Sequence, residues 1–302
     1  MERKLADPAP LLDPWKELWR RQLVHYDPDI LVLQRMARTD DGFGWGTVFY
    51  SAAREHYKRR VGDVSKGQHA SFDLDLMRRV SIGRHGGLVI AANPNSMFEG
   101  HLVIYPEQKR EDLSFDDVHD MCSLAPRYPG FSFIHNMERA AASIVDWAHF
   151  QAYPVEFPLS REALQETHAR GAVVLSRPRS DYPAFLIAAD GPQRLLARFL
   201  FDLLGTLKSG EAPSRQRIPC NVIWQGRRAW VVPRSSAQSD HAASYIGGLE
   251  MGGLFCLPTA DSLSSYLPGA LREEVRRASL HDEPELRRWF EDKASVIAGG
   301  LR

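Results

Sequence analysis

Cysteine is scarce in this chain of 302 residues: Cys122, Cys220 and Cys256 stand far apart, odd in number, with no CxxC pair. That spacing argues against a disulfide framework and against a cysteine-built zinc site. An excess of either charge is also missing, since 38 basic residues balance 38 acidic ones. Net charge therefore gives no reason to expect a nucleic acid or an anionic membrane as partner. The arginine pairs at 20–21 and 78–79 read as solvated faces rather than phosphate sites. No apolar run approaches the ~20 residues that span a bilayer, and no charged-then-apolar leader opens the chain. A cytoplasmic protein without a membrane partner is the expectation. The histidines lack HxxxH or HExxH spacing, and the glycines at 247–248 and 252–253 do not follow a strand in GxGxxG form. No metal, no dinucleotide site and no cofactor are expected.

A composition of 44% hydrophobic and 25% charged residues suits one large globular domain or two modest ones. Residues 1–12, with Pro8 and Pro10, read as a mobile lead-in, and PWKELWRRQLVHY (14–26) has helical spacing. The polar stretch 61–75 reads as loop. GGLVIAANP (86–94) and GHLVIYP (100–106) read as strands joined as a hairpin, SFDDVHDMCSLA (114–125) as a serine-capped helix, and FSFIHN (131–136) and AHFQAYP (148–154) as neighbouring strands. SREALQETHARG (160–171) reads as a capped helix with a glycine stop. PQRLLARFLFDLLGTLKSG (192–210) is the strongest helix, with a leucine and phenylalanine stripe. IPCNVIW (218–224), RAWVVPR (228–234) and GGLFCLP (252–258) read as strands, and REEVRRAS (272–279) and PELRRWFEDKA (284–294) as helices. Strands and helices mix in both halves without sequence repetition, which gives an α+β class with two lobes. The expected division is a lead-in and helix over 1–30, a first lobe over 31–165 and a second over 166–302.

The run ASIVDWAHFQAY (142–153) holds a chemical pattern. In a strand, Trp147, His149, Gln151 and Tyr153 share one face, while Ala148, Phe150 and Ala152 turn to the core. An imidazole beside an amide on one open face is a candidate nucleophile with a positioning partner. A half-buried histidine in an ordinary strand fits the same residues. By the same alternation His135 and Asn136 face opposite ways, which assigns His135 to core or surface.

Three segments together carry a resemblance. ANPNSMFEGHLVIYPEQKREDLS (92–114) resembles the early segment of histidine-triad-like proteins. FIHNMERAAASIVDWAHFQAY (133–153) resembles their active-site segment, with glutamine where a third histidine would stand, as in the galactose-1-phosphate uridylyltransferase (GalT) branch. PCNVIWQGRRAWVVPRSSAQ (219–238) with GGLEMGGLFCLP (247–258) is similar to the C-terminal part of diadenosine tetraphosphate and GDP-hexose phosphorylases. The resemblance runs from about residue 85 to 260. It implies a histidine-triad-like (GalT-like) fold with antiparallel sheets and flanking helices, whose second lobe is degenerate and completes the substrate cleft.

It also implies nucleotidyl transfer through a nucleotidyl-histidine, from a sugar nucleotide of the GDP-hexose kind to phosphate or a sugar phosphate. His149 is then the nucleophile, and Gln151 hydrogen-bonds a phosphoryl oxygen without supplying a proton. Asn136 and Ser143 donate to the α-phosphate, Asn95 reaches the ribose, and Arg234 contacts phosphate from the second lobe. His101 is structural. Nucleotide and phosphate are the implied partners, nucleic acid is not, and a homodimer is compatible with the family. One departure stands out: D-W-A-H-F-Q occurs where D-H-L-H-F-Q is expected, so Trp147 replaces the first histidine. An indole donates one hydrogen bond but cannot shuttle a proton. Two further readings therefore remain: a dinucleoside polyphosphate phosphorylase, and a nucleotide-binding protein without catalysis. A hydrolase is disfavoured by Gln151.

Overall fold

A computed structural model of the chain describes residues 9–24, 34–35, 46–50, 71–142, 144–168, 171–179, 182–213, 217–235, 246–257 and 268–301. Helix α1 (Ala9–Arg20) and strands β1 (Gln34–Arg35) and β2 (Thr47–Tyr50) come first. Then follow α2 (Leu74–Arg79), β3 (Ser81–His85), β4 (Leu88–Ala92), β5 (Leu102–Pro106), α3 (Phe115–Leu124), β6 (Ser132–Asn136) and β7 (Phe150–Tyr153). The second half holds β8 (Leu164–His168), β9 (Val174–Pro178), β10 (Ile187–Asp190), α4 (Gln193–Lys208), β11 (Cys220–Gln225) and β12 (Arg228–Pro233). Helix α5 (Gly248–Met251), β13 (Leu254–Leu257), α6 (Pro268–Ala278) and α7 (Pro284–Gly300) complete it.

One sheet of ten strands runs in the order β3-β4-β5-β7-β6-β11-β12-β10-β9-β8, antiparallel throughout. It contains the same unit twice. Three strands, a helix and two strands give the order 3-4-5-7-6 on one side and 8-9-10-12-11 on the other, joined where β6 pairs with β11. Hydrogen-bonded pairing and apolar filling suffice to build the second copy, so its sequence need not echo the first.

Helices α3, α4 and α7 cover one face. Met121, Leu200, Leu203 and Phe290 pack there on Phe133, Phe150, Val222 and Val231. The capped start of α3 is built by Ser114, whose hydroxyl accepts from the Asp117 N–H while the Asp117 carboxylate takes the Ser114 N–H. On the other face Ile134, Tyr153, Ile223, Trp230 and Val232 pack against β2, β13 and α6 through Phe49, Phe255 and Leu271. The result is the expected α+β architecture, an antiparallel sheet with flanking helices.

Two readings are corrected. Residues 160–171 do not form a helix: after a short turn at Pro158–Arg161, β8 pairs antiparallel with β9 as the edge strand. Ser160 and Gly171 mimic helix punctuation, but pairing with β9 decides the conformation. The lead-in is shorter than 1–12, because α1 starts at Ala9 and buries Leu11 and Trp15. Strand β13 forms as expected but pairs parallel with β2, outside the large sheet.

Candidate active site

The β6–β7 ladder ends at the pair Ile134–Gln151. Beyond it the strands part, and continued antiparallel register brings His149 alongside Asn136. Both line one cleft of about 170 Å³, together with His135, Trp147 and Ala148. Arg139, Lys208 and Arg217 line it together with Glu111, Asp112 and Glu138, so the cleft has no net sign.

His149 is 7% exposed, more enclosed than an open sheet face would leave it. Its Nδ1 lies 3.0 Å from the Trp147 carbonyl oxygen. A carbonyl only accepts, so Nδ1 carries the proton and the neutral ring keeps its lone pair on Nε2. Burial holds this imidazole below its ordinary pKa, against the opposing pull of that hydrogen bond and of Asp146. The ring is therefore neutral near pH 7 and nucleophilic at Nε2. Trp147 is itself anchored. Its Nε1–H donates to the Pro106 carbonyl at 3.1 Å, and its ring packs on Phe72 with centroids 4.7 Å apart. The indole thus keeps its own backbone carbonyl in place for His149.

Gln151 is half-buried on β7, and its Oε1 accepts from the Tyr153 hydroxyl. The amide is thereby oriented with its NH2 group available as donor. The Tyr153 ring stacks on His101 with centroids 4.4 Å apart, and His101 Nδ1 accepts from the Met97 N–H at 3.3 Å. That structural place suits the role expected of His101.

The Asn136 carboxamide is held by its oxygen, which accepts from Asn221 Nδ2 at 2.7 Å and from the Gly248 N–H at 3.1 Å. The residue is half-buried, and with the oxygen so held its NH2 group is the donor that remains. A Cβ at residue 248 would stand 2.8 Å from the same oxygen, so glycine is what permits this approach. Asn221 also donates to the Ala140 carbonyl at 2.7 Å. That contact ties down the connection after β6, in which Arg139 and Ala141 adopt φ of +62° and +73°. Such left-handed conformations cost non-glycine residues about 1 kcal/mol each.

Arg234 is not among the residues that line the cleft. It is 1% exposed, and its guanidinium donates to the Ala278 carbonyl at 2.8 Å, the Ile246 carbonyl at 2.7 Å and Asn221 Oδ1 at 2.6 Å. Burial lowers its pKa to about 9. The expected phosphate contact is replaced by a structural one, which reaches Asn136 through Asn221. Asn95 lies half-buried between β4 and β5, its N–H on Asn93 Oδ1 at 2.9 Å, and is not among the cleft-lining residues. Ser143 lies outside the described residues.

Two residues escaped the sequence reading. Asn221 stood in the quoted Asn-containing strand but had no partner assigned. His135 faces away from Asn136 as alternation requires, yet its Nδ1 meets the His149 carbonyl oxygen at 2.9 Å. Burial pushes its pKa down to about 4. The antiparallel pairing of FIHN with AHFQ, taken together with the end of the ladder, is the signal that could have found it.

Comparison with known proteins adds the following. A family model described as a domain of unknown function (DUF4922) matches residues 78–154, which is the first five-stranded unit with the end of α2. No curated protein matches the chain. Yeast Ap4A phosphorylase in complex with Ap4A superposes with a TM-score of 0.64 at 12% identity, over 92% of this chain and 98% of that one. The same yeast enzyme with AMP gives 0.60 at 13% identity, over 89% and 94%. The chain has the fold of Ap4A phosphorylase. The antiparallel α+β architecture implied by the three sequence segments is the one observed. An ADP-glucose phosphorylase from Arabidopsis thaliana with bound ADP-glucose covers 84% of this chain and 99% of its own at 13% identity, with a TM-score of 0.33, too low to argue from.

Proposed function

We propose that the chain is a nucleotidyltransferase of the phosphorylase type, working through a nucleotidyl adduct on His149. The observation that carries this is the hydrogen bond from His149 Nδ1 to the Trp147 carbonyl, which fixes the tautomer and leaves a neutral Nε2 beside a cleft. Nε2 attacks the α-phosphorus of the nucleotide. An N–P bond forms, the P–O bond to the distal phosphoryl group breaks, and that group leaves with the electron pair. The acceptor oxygen then attacks the same phosphorus, the N–P bond breaks, and His149 returns to its neutral form. The Asn136 amide, oriented by Asn221 and Gly248, and the Gln151 amide, oriented by Tyr153, donate to the phosphoryl oxygens as charge develops. Glutamine supplies no proton to water, which favours transfer over hydrolysis.

The sequence segments favour a sugar nucleotide of the GDP-hexose kind, with phosphate as acceptor. The fold likeness to Ap4A phosphorylase favours a dinucleoside polyphosphate. Incubation with excess phosphate and either GDP-hexoses or Ap4A, with products separated by chromatography, decides between them. Formation of a nucleoside diphosphate together with a hexose phosphate identifies the first class. Formation of ADP and ATP identifies the second. Tight binding of both without any product would turn the reading to a nucleotide-binding protein.

A further inference from the structure

We infer that His135 is a positioning residue for the nucleophile, acting on the peptide that carries His149. The inference deepens the reading of His149 as nucleophile and rests on it. In a continuing β6–β7 ladder the His149 carbonyl would be taken by the backbone of β6. The ladder stops two register positions earlier, at Ile134–Gln151, and the imidazole of His135 reaches across to cap that carbonyl at 2.9 Å. Two links run in series: His135 Nδ1–H to the His149 carbonyl, and His149 Nδ1–H to the Trp147 carbonyl. The 147–148 and 149–150 peptide groups are thus fixed, the second by a side chain and the first by the nucleophile itself.

The packing around His135 favours this role over a proton-transfer role. The ring is 6% exposed and lies beside Phe150, with centroids 5.7 Å apart. The charged groups bearing on it are Lys208 and Asp112, which pair with each other. Burial keeps it neutral well below pH 7, so it has no proton to give a leaving group at that pH. A donor that never titrates in the working range is suited to holding a peptide. Alternation along β6 hides this residue, because its side chain emerges on the helix-covered face and still reaches the nucleophile where the strands separate.

The test compares H135L, which has no donor, with H135N, whose amide Nδ2 can take the place of the imidazole Nδ1. Nitrogen-15 spectra of the histidine rings in the intact chain report the His149 tautomer without requiring turnover. The expected result is a single Nδ1–H form in the wild type and H135N, and a mixture of tautomers in H135L. Adduct formation on His149 should slow by about 10–100-fold in H135L, with KM within about 3-fold, and recover in H135N. An H135L spectrum identical to the wild type overturns the inference, and so does equal loss in both variants. Should H135L not fold, H135N alone decides, since loss of the single tautomer there overturns it. If the wild type forms no adduct at all, the function proposed above fails while the spectra still judge His135.

Discussion

Strands β7 and β12 hold the same place in the two copies of one topology, each fourth in its five-stranded unit, and their faces toward the second core differ. In the first unit that face presents Gln151 and, where β6 and β7 part, Asn136 and His149. In the second it presents Trp230 and Val232, paired with Ile223 and Asn221 on β11 and packed against β13 and α6. The two units need the same pairing but not the same chemistry. Where β13 and α6 cover the face, apolar side chains fill it. Where the ladder opens, Asn136 and His149 are left facing a cleft. The second unit is still tied to the site: Asn221 on β11 braces Asn136, and Arg234, just beyond β12, holds Asn221.

The comparison can be broken or sharpened in four ways. The largest effect is expected at His149. His149→Ala should cut turnover by at least about 1,000-fold, roughly 4 kcal/mol of barrier, and Trp230→His should restore nothing. Activity left within about 10-fold would remove the distinction between the units. Acid comes next. His135 has a folded pKa of about 4 against about 6.5 unfolded, so between those values the unfolded chain binds more protons. Stability contributed by the neutral ring is complete above pH 6.5 and lost as pH falls toward 4, by roughly 3 kcal/mol. Denaturant melts across that window should show H135N losing less. The second unit has no histidine in its strands other than the edge residue His168.

Gly248→Ala is expected to cost about 10–100-fold in kcat with little change in melting temperature. Its Cβ would press on the Asn136 oxygen at 2.8 Å and turn the donor away. A similar loss on Gly226→Ala, at the β11–β12 turn, would show that the effect is not specific to the site. The smallest effect is expected at Trp230, whose Nε1–H is buried without a hydrogen-bond partner among the described residues. Trp230→Phe should leave turnover unchanged and shift stability by no more than about 1 kcal/mol, as measured by chemical denaturation.

Much of the first unit was legible in the sequence because its signals are local. The Ser114 cap, the apolar strands at 88–92 and 102–106 and the His-x-Gln alternation each follow from spacing alone. What escaped depends on contacts far along the chain. Arg234 was expected at a phosphate but is enclosed by the Ala278 and Ile246 carbonyls and by Asn221. Residues 164–168 are a strand only because β9 is there to pair with them. His135 becomes relevant only because a ladder ends. The replacement of histidine by Trp147 looked like a loss of function. Yet the link to His149 comes from the backbone carbonyl of residue 147, which any residue supplies, and the indole N–H anchors that segment on Pro106.

The central claim is that a neutral His149, with its proton fixed on Nδ1, takes the nucleotide onto Nε2. Intact-mass analysis after brief incubation with GDP-hexose or Ap4A, followed by peptide mapping at alkaline pH, where a phosphorus–nitrogen bond survives, tests it directly. A mass gain of one nucleoside monophosphate on the peptide containing His149, absent in His149→Ala, is the predicted result. Product formation with the nucleotide carried on another residue, or undiminished in His149→Ala, would contradict it.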